Sequence, residues 1–169
     1  MEKRYDPKSV EKKWEKFWEE RGYFSPRPGK KNKTFSMVMP PPNITGILHM
    51  GHAFNLTIQD IITRFKRMQG FEVLWIPGID HAGIATQNVV ERELKKEGLS
   101  REKLGREKFI QKIWEWKQCY GERIFNQMRR LGISCSWEDK AFTMDENCLL
   151  YTSDAADEGL GVDLGGRRI

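Results

Sequence analysis

The sequence predicts an α/β fold built on a parallel sheet, with a helix before the sheet and long helices after it. Two short apolar segments, residues 34–39 and 71–76, have the length and composition of buried strands, and proline follows each of them. The segment between them, residues 49–69, carries apolar residues at helical spacing. Because two buried strands joined by a helix form a parallel crossover, these segments predict a βαβ unit.

Length and composition restrict the class of protein. The chain has 169 residues, enough for one domain with a buried core, and 38% of them are hydrophobic while 31% are charged. No apolar run approaches the roughly 18–20 residues that a membrane helix requires, and the charged first residues do not resemble a secretion signal. The cysteines, Cys119, Cys135 and Cys148, show no CxxC spacing, which predicts a protein of the reducing cytoplasm without disulfides or a zinc knuckle. The net charge of +5 fits a polyanionic partner and fits a solvated lysine-rich surface equally well.

The last part of the chain, residues 148–169, differs in character from the rest. It resembles the translation of a transposon-type sequencing-library adapter read through in one frame. We therefore expect residues 148–169 to be an artefact, and we expect the natural protein to continue beyond Asn147. The rest of the chain divides into residues 1–33, an N-terminal helix and basic loop, and residues 34–147, the unit that contains the sheet.

The first helix is predicted to begin at Asp6-Pro7 and to end at Gly22, because proline suits a first helical turn and glycine a position just beyond a helix. Its apolar stripe consists of Val10, Trp14, Phe17 and Trp18. A basic loop with proline and glycine follows at residues 26–33. We expect Trp14, Trp18 and Trp114 to lie in the core rather than on a surface that stacks against bases.

The helix predicted over residues 49–69 ends at Gly70 and has one broad apolar face. Arg64, Lys66 and Arg67 place positive charge in its last turns, where it complements the helix dipole. The apolar face consists of Phe54, Ile58, Ile61, Ile62, Phe65 and Met68.

Two more helices are predicted over residues 84–96 and 106–131, with a short turn capped by Ser100 between them. Thr143 and Glu146 match a T-x-x-E capping box, which predicts another helix start. The residues expected to form the inward faces are Ile84, Val89, Val90, Leu94, Phe109, Ile110, Ile113, Trp114, Ile124, Phe125 and Met128.

The predicted βαβ unit and the loop after it contain all three histidines of the chain. His49 and His52 open the helix, where first-turn N–H groups are free and the dipole is positive, so the position suits phosphate oxygens. Gly51 has no side chain and would let a nucleobase or ribose approach the backbone. Two imidazoles with backbone donors can stabilise the charge that develops on an α-phosphate as pyrophosphate leaves. By itself, however, an H-x-x-H pair fits two metal ligands or two surface histidines as well.

The residues around this histidine pair carry a family resemblance. Residues 40–46, Pro-Pro-Pro-Asn-Ile-Thr-Gly, and residues 49–52, His-Met-Gly-His, resemble the HIGH motif of class I aminoacyl-tRNA synthetases and the turn before it. The resemblance covers essentially all of residues 1–147, through residues 67–70, 75–78, 80–87, 89–92, 112–117, 127–132 and 142–146. It implies that residues 34–147 are the first portion of a Rossmann-like catalytic domain, which is incomplete within this chain.

The resemblance also implies roles for individual residues. His49 and His52 would contact ATP and stabilise the adenylation transition state, and Gly51 would make room for the adenosine. The amino-acid pocket would be lined by Pro41, Pro42 and Asn43. Asp80 would accept hydrogen bonds from the substrate α-ammonium group, which suits a carboxylate at the C-terminal end of a strand. His81 fits a hydrogen bond within its own loop as well as it fits a substrate contact.

The loop at residues 78–84, Gly-Ile-Asp-His-Ala-Gly-Ile, is similar to the valyl branch of the family, whereas isoleucyl and leucyl enzymes usually have Gly-Trp-Asp and Gly-Leu-Pro there. Ile79 stands where many valyl enzymes have threonine. This resemblance implies L-valine, ATP with Mg²⁺, and tRNA(Val) as substrates of a cytoplasmic, monomeric enzyme without a protein-bound metal or a membrane. A pocket that selects valine rejects threonine poorly, so the whole enzyme would edit mischarged threonine.

The same resemblance implies that the editing domain, the KMSKS motif and the anticodon-binding region lie beyond Asn147, so the fragment alone would be inactive. Alternatives remain from the residues themselves. One is an isoleucyl or leucyl enzyme. Another is a metal-binding module that uses His49, His52 and His81, although no cysteine or carboxylate cluster completes the ligand set. A third is a non-catalytic RNA-binding module built on the basic helices.

Overall fold

The computed structural model describes residues 5–27 and 33–150. Most of the predicted basic loop and residues 151–169 of the predicted artefact lie outside the described residues. In chain order the elements are α1 (Pro7–Glu20), β1 (Thr34–Met37), α2 (Met50–Met68), β2 (Glu72–Trp75), β3 (Gly78–Ile79), α3 (Gly83–Lys96), α4 (Arg101–Arg130), a 3₁₀ turn (Trp137–Asp139) and β4 (Ala141–Phe142). None of the helices in this described part is both long enough and apolar enough to cross a membrane.

The predicted βαβ unit is confirmed. β1 and β2 pair in parallel, with Thr34 opposite Glu72 and Met37 opposite Trp75, and α2 connects them. A second parallel pair, which the sequence did not predict, joins β3 to β4. Each of its strands has only two residues, too short for an alternating pattern to be visible in the sequence. The α/β class with parallel strands is therefore correct, and the chain has one more parallel connection than predicted.

The ends of the helices follow the predicted signals. The Asp6 carboxylate accepts the Lys8 N–H at 3.1 Å, and the Ser100 hydroxyl accepts the Lys103 N–H at 3.3 Å. Inside α4, Gly105 has φ 75° and ψ 168°, which breaks the helical backbone. Because glycine has no Cβ, it adopts this positive φ at no steric cost. The prediction of a short turn at Ser100 followed by a helix from residue 106 is confirmed as two helical segments that meet at this kink.

The core lies between the sheets, α2 and α4. Its main cluster contains Met39, Ile44, Leu48, Leu56, Trp75, Ile79, Ile124, Met128, Ile133, Cys135 and Phe142. A smaller cluster holds Val90 and Leu94 of α3 against Phe109 of α4. Predicted inward positions on α3 and α4 are confirmed at these residues and at Ile124 and Met128.

Several predicted core positions are wrong. Ile84 is 76% exposed, because α3 buries the line Thr86, Val90 and Leu94 and a residue two places from Thr86 points to the opposite side of the helix. Trp14 and Trp114 are 42% and 47% exposed. Helix α1 has no buried residue, and the Trp14 ring packs against the neighbouring rings of Phe17 and Trp18.

The apolar face predicted on α2 exists as a pattern but is not covered by the described residues. Its six members range from 39% exposed at Ile62 to 85% exposed at Met68. The buried positions of this helix are Leu56 and Thr63 instead. The spacing of apolar residues therefore identified the helix correctly without identifying the side that packs on the core.

Two basic residues of α2 do more than complement its dipole. Arg64 donates to the Gly132 carbonyl at 2.6 Å, and Arg67 donates to the hydroxyl and the carbonyl of Ser134, both at 2.7 Å. Asp60 completes the contact, because its Oδ1 accepts the N–H of Ser134 at 2.7 Å and the hydroxyl at 2.6 Å. This polar cluster ties the segment after α4 to α2.

The helix start predicted near residues 143–146 is confirmed, but Thr143 is not its N-cap. The next helical residues are 146–150, and the Leu149 N–H donates to the Asp145 carbonyl at 2.9 Å, so the helix begins after Asp145. The Thr143 hydroxyl instead contacts the Asp80 loop, where it donates to Asp80 at 2.8 Å and accepts the His81 N–H at 2.9 Å.

Candidate functional site

An open cleft of about 570 Å³ lies between the proline-rich turn after β1 and the start of α2. The turn has no regular structure because proline lacks the N–H that would extend β1. Six predicted site residues line this cleft: Pro41, Pro42, Asn43, His49, Gly51 and His52. The structure thus brings the predicted ATP residues and the predicted amino-acid residues of the turn together.

Each of the two histidine rings accepts a backbone N–H at the start of α2. His49 has extended backbone and is the N-cap of α2, and its Nδ1 accepts the Gly51 N–H at 3.1 Å. The His49 N–H donates to Nδ1 of His52 at 3.3 Å, and the ring centroids are 4.1 Å apart. The prediction that the first-turn N–H groups are free is therefore wrong for Gly51, whose N–H is taken by an imidazole.

The absence of a side chain at Gly51 has a local reason. A Cβ built there would lie 3.0 Å from Cε1 and 3.1 Å from Nδ1 of His49. Glycine therefore allows the His49 ring to fold back over the first turn. The predicted space for an adenosine lies at the same position, along the wall of the cleft.

Asp80 lies outside the lining of this cleft but is joined to it through the main chain. The Asp80 N–H donates to the Pro42 carbonyl at 2.8 Å, and the Ile44 N–H donates to the Asp80 carbonyl at 3.0 Å. Asn43 and Asp80 thus form an isolated parallel bridge. This bridge fixes the predicted ammonium-binding loop against the predicted pocket turn.

The carboxylate of Asp80 is oriented by groups that the sequence did not reveal. Its Oδ1 accepts the Thr143 hydroxyl at 2.8 Å and the Ala82 N–H at 3.2 Å. Ala82 has φ 51°, a left-handed conformation that costs a residue other than glycine about 1–2 kcal/mol. The strained turn brings the Ala82 N–H back to the carboxylate and leads directly into α3.

His81 makes hydrogen bonds to Thr143, which lies directly after β4 and outside the loop that contains His81. Its N–H donates to the Thr143 hydroxyl oxygen at 2.9 Å, and its Nδ1 lies 2.5 Å from the same oxygen. The hydrogen bonds of His81 therefore reach beyond its own loop, and a contact of His81 with the substrate stays a prediction. No local pattern marks Thr143 as a partner of His81, because β4 before it has only two residues.

Burial and, to a smaller extent, the neighbouring His49 lower the pKa of His52 below its ordinary value of 6.5. A neutral His52 keeps the lone pair that accepts the His49 N–H. Among the residues that the structure describes, no three His, Cys, Asp or Glu side chains are grouped so that they could hold a metal ion.

A parallel α/β unit with paired imidazoles at a helix N-terminus and an acidic loop after a strand is typical of nucleotide-binding proteins. The profile of the family described as "tRNA synthetases class I (I, L, M and V)" matches residues 13–155. The chain belongs to this family.

Curated valine–tRNA ligases are similar to this chain. Those of Carboxydothermus hydrogenoformans and Geobacter sulfurreducens are 58% identical over 144 and 146 residues, covering 85% and 86% of this chain. The enzyme of Prochlorococcus marinus is 52% identical over 155 residues, covering 92% of this chain. The chain spans 16% to 17% of the length of these relatives.

A similar solved structure is the crystal structure of the ternary complex of Agrobacterium radiobacter K84 agnB2 LeuRS-tRNA-LeuAMS. It superposes with a TM-score of 0.73 at 24% identity, over 93% of this chain and 18% of that chain. This likeness supports the partial Rossmann-like fold of a class I synthetase catalytic domain.

Proposed function

We propose that this chain is the N-terminal part of a valine–tRNA ligase. The whole enzyme would activate L-valine with ATP and then transfer it to tRNA(Val). The observation that carries the proposal is the bridge between Asn43 and Asp80 beside the histidine-capped start of α2. It supports the proposal because a carboxylate suits an ammonium group and a helix N-terminus suits a phosphate, and the bridge joins the segments that carry them.

In the activation step, the valine carboxylate attacks the α-phosphorus of ATP, the bond to the β-phosphate oxygen breaks, and pyrophosphate leaves. His49 and His52 would stabilise the charge on the α-phosphate, and Gly51 would accommodate the adenosine. Mg²⁺ would enter with ATP as part of the substrate rather than as a resident metal. The dipole of α2 adds a positive potential at the same point.

The valine would lie along the turn formed by Pro41, Pro42 and Asn43. Among the described residues, the contacts of the Asp80 carboxylate use Oδ1, so Oδ2 would receive the α-ammonium group. Transfer to tRNA and editing of threonine would require the rest of the enzyme. The cytoplasmic location and the monomeric state belong to the same proposal.

The proposal is tested in a chimera in which residues 1–147 of this chain replace the matching segment of the Geobacter sulfurreducens valine–tRNA ligase. ATP–pyrophosphate exchange is measured with valine, isoleucine and leucine offered separately. We expect valine to give the dominant rate and His52→Ala to reduce it by roughly 100-fold. A dominant signal from isoleucine or leucine, or no exchange while the unmodified Geobacter enzyme is active, would overturn the proposal.

A further inference from the structure

Helix α4 holds the residue that precedes His49 by both of its main-chain groups. The Leu48 N–H donates to Oε1 of Gln127 at 2.9 Å, and Nε2 of Gln127 donates to the Leu48 carbonyl at 3.3 Å. A carboxamide carries a donor and an acceptor side by side, so it can pair with both groups of one residue. These contacts connect positions 79 residues apart in the chain.

Helix α4 also contacts Ile44, at the other end of the segment of residues 44–48. Nε1 of Trp116 donates to the Ile44 carbonyl at 2.8 Å, and the Ile44 N–H donates to Asp80. Trp116 and Gln127 are about three helical turns apart on α4. The two side chains therefore hold residues 44–48 at both ends, between the Asp80 bridge and the histidine pair.

Residues 45–48 belong to neither a helix nor a strand, so their backbone depends on such contacts for its position. Helix α4 can supply them rigidly because Ile124 and Met128, on either side of Gln127, are fully buried in the main core. The start of α2 has a different support, since the cap at His49 is made by imidazoles that a bound nucleotide would contact.

We propose that Gln127 is a positioning residue for the activation step. By fixing the Leu48 peptide it sets the direction in which the chain enters His49, and with it the placement of both imidazoles against the α-phosphate. The inference rests on the proposed function, because the histidines act on ATP only if the chain is part of the synthetase. Gln127 itself touches no reacting atom.

The test uses Gln127→Met in the same chimera, since methionine has a similar length and no matching donor or acceptor. We expect kcat for valine-dependent pyrophosphate exchange to fall roughly 10- to 100-fold, while the KM for valine changes less than about threefold. Gln127→Glu keeps an acceptor for the Leu48 N–H, so we expect an intermediate loss. Gln118→Met, an exposed site on the same helix, is the matched control and should retain the full rate.

Hydrogen–deuterium exchange separates positioning from general destabilisation. Peptides covering residues 44–49 should lose protection in Gln127→Met, while the core of α4 retains it. An unchanged kcat, or a loss of protection throughout the chimera, would overturn the inference while leaving valine activation by the unmutated chimera in place. If that chimera does not activate valine, the proposed function fails. The hydrogen–deuterium exchange of residues 44–49 then still decides whether Gln127 holds residues 44–48 in place.

Discussion

The protonation of His52 depends on its place in the first turn of α2. Burial is the larger cause that lowers its pKa, and the nearby His49 lowers the pKa further. The folded protein therefore resists a proton that the unfolded chain accepts near pH 6.5. The stability contributed by neutral His52 is complete above that pH and is lost as the pH falls through the lower, folded pKa.

We predict that an NMR titration of the imidazole signals places the pKa of His52 below 6.5. In His49→Asn the pKa should rise only part of the way back, because the larger cause, burial, remains. The wild-type titration in the same buffer is the control. A wild-type value at or above 6.5, or a complete return in the variant, would contradict this assignment of causes.

Thr143 orients Asp80 from a distant part of the sequence, which leads to a second prediction. Thr143→Val removes the hydroxyl that donates to Asp80 and accepts from His81, and the partners it leaves are partly buried. The free energy of unfolding should fall by about 1–2 kcal/mol. In the chimera, the KM for valine should rise roughly five- to tenfold, since the carboxylate proposed to receive the ammonium group loses its support.

The control for this prediction is Thr57→Val, because the exposed Thr57 hydroxyl donates to the Ala53 carbonyl within α2. Denaturant unfolding of the chain and substrate titration of the chimera provide the two measurements. An unchanged valine KM in Thr143→Val would show that Asp80 needs no such support.

At the residue scale, site residues that lie close together in the sequence were predictable, whereas partners that lie far apart in the sequence were not. Pro41, Pro42, His49 and His52 lie within one short stretch, so their common placement in the cleft was predictable. Thr143 is 63 residues from Asp80, and Gln127 is 79 residues from Leu48. Nothing in a single sequence indicates which distant hydroxyl or amide pairs with which backbone group, so these contacts required the structure.

At the scale of elements, α2 is held by polar contacts as well as by its buried residues, Leu56 and Thr63. Spacing predicted the helix and its ends correctly, because those depend on neighbouring residues. It could not predict that Arg64 and Arg67 reach the segment after α4. A charge in the last turn of a helix has the same favourable effect on the dipole whether or not it also has a distant partner.

Asp60→Asn is predicted to destabilise this junction. The carboxylate is 14% exposed and accepts from Ser134 and from Arg64, whose Nε lies 2.6 Å away. An asparagine keeps one acceptor and turns an N–H₂ group toward the other donors, so the free energy of unfolding should fall by roughly 2 kcal/mol. Glu93→Gln breaks the exposed pair with Lys96 and should cost less than about 0.5 kcal/mol by the same denaturant titration. Equal effects would rule out a special role for Asp60.

Helix α4 approaches β3 closely at Gly121, where a Cβ would lie 2.8 Å from Cδ1 of Ile79. Gly121→Ala gains about 1 kcal/mol of helix propensity but overpacks a buried contact, so we expect a net loss of about 1 kcal/mol. Ile79→Val removes the obstructing methyl group. In that background Gly121→Ala should stabilise the protein, giving a coupling free energy of about 2 kcal/mol in a double-mutant cycle. Additive effects would contradict the close contact.

At the scale of the whole molecule, some of the described elements are packed into the main core and others are not. The main core joins α2, α4 and the strands, whereas α1 has no buried residue. Six apolar residues of α2 also remain exposed, so the pattern that predicted a helix does not say what covers it. The sequence shows that a face is apolar, but a partner for that face is a property of the three-dimensional arrangement.

The attachment of α1 relies on a few polar contacts. Arg129 pairs with Glu19 at 3.0 Å, Arg67 donates to the Phe24 carbonyl at 3.1 Å, and the hydroxyls of Ser25 and Ser136 lie 3.2 Å apart. Segments with few buried apolar contacts open locally at a lower free energy than the core does. Amides of α1 should therefore exchange with deuterium at least about 100-fold faster than those of residues 109–128.

Arg67→Lys tests how that attachment works. Lysine lacks the planar fork that contacts Ser134 and Phe24 together, so residues 21–27 and 133–136 should lose protection together while residues 109–128 keep theirs. Lys16→Gln, which removes only an exposed pair with Glu20, should leave the exchange pattern unchanged. If α1 exchanges as slowly as α4 in the wild type, the helix is stabilised by more than these contacts. If Arg67→Lys exposes only one of its two segments, the guanidinium does not couple them.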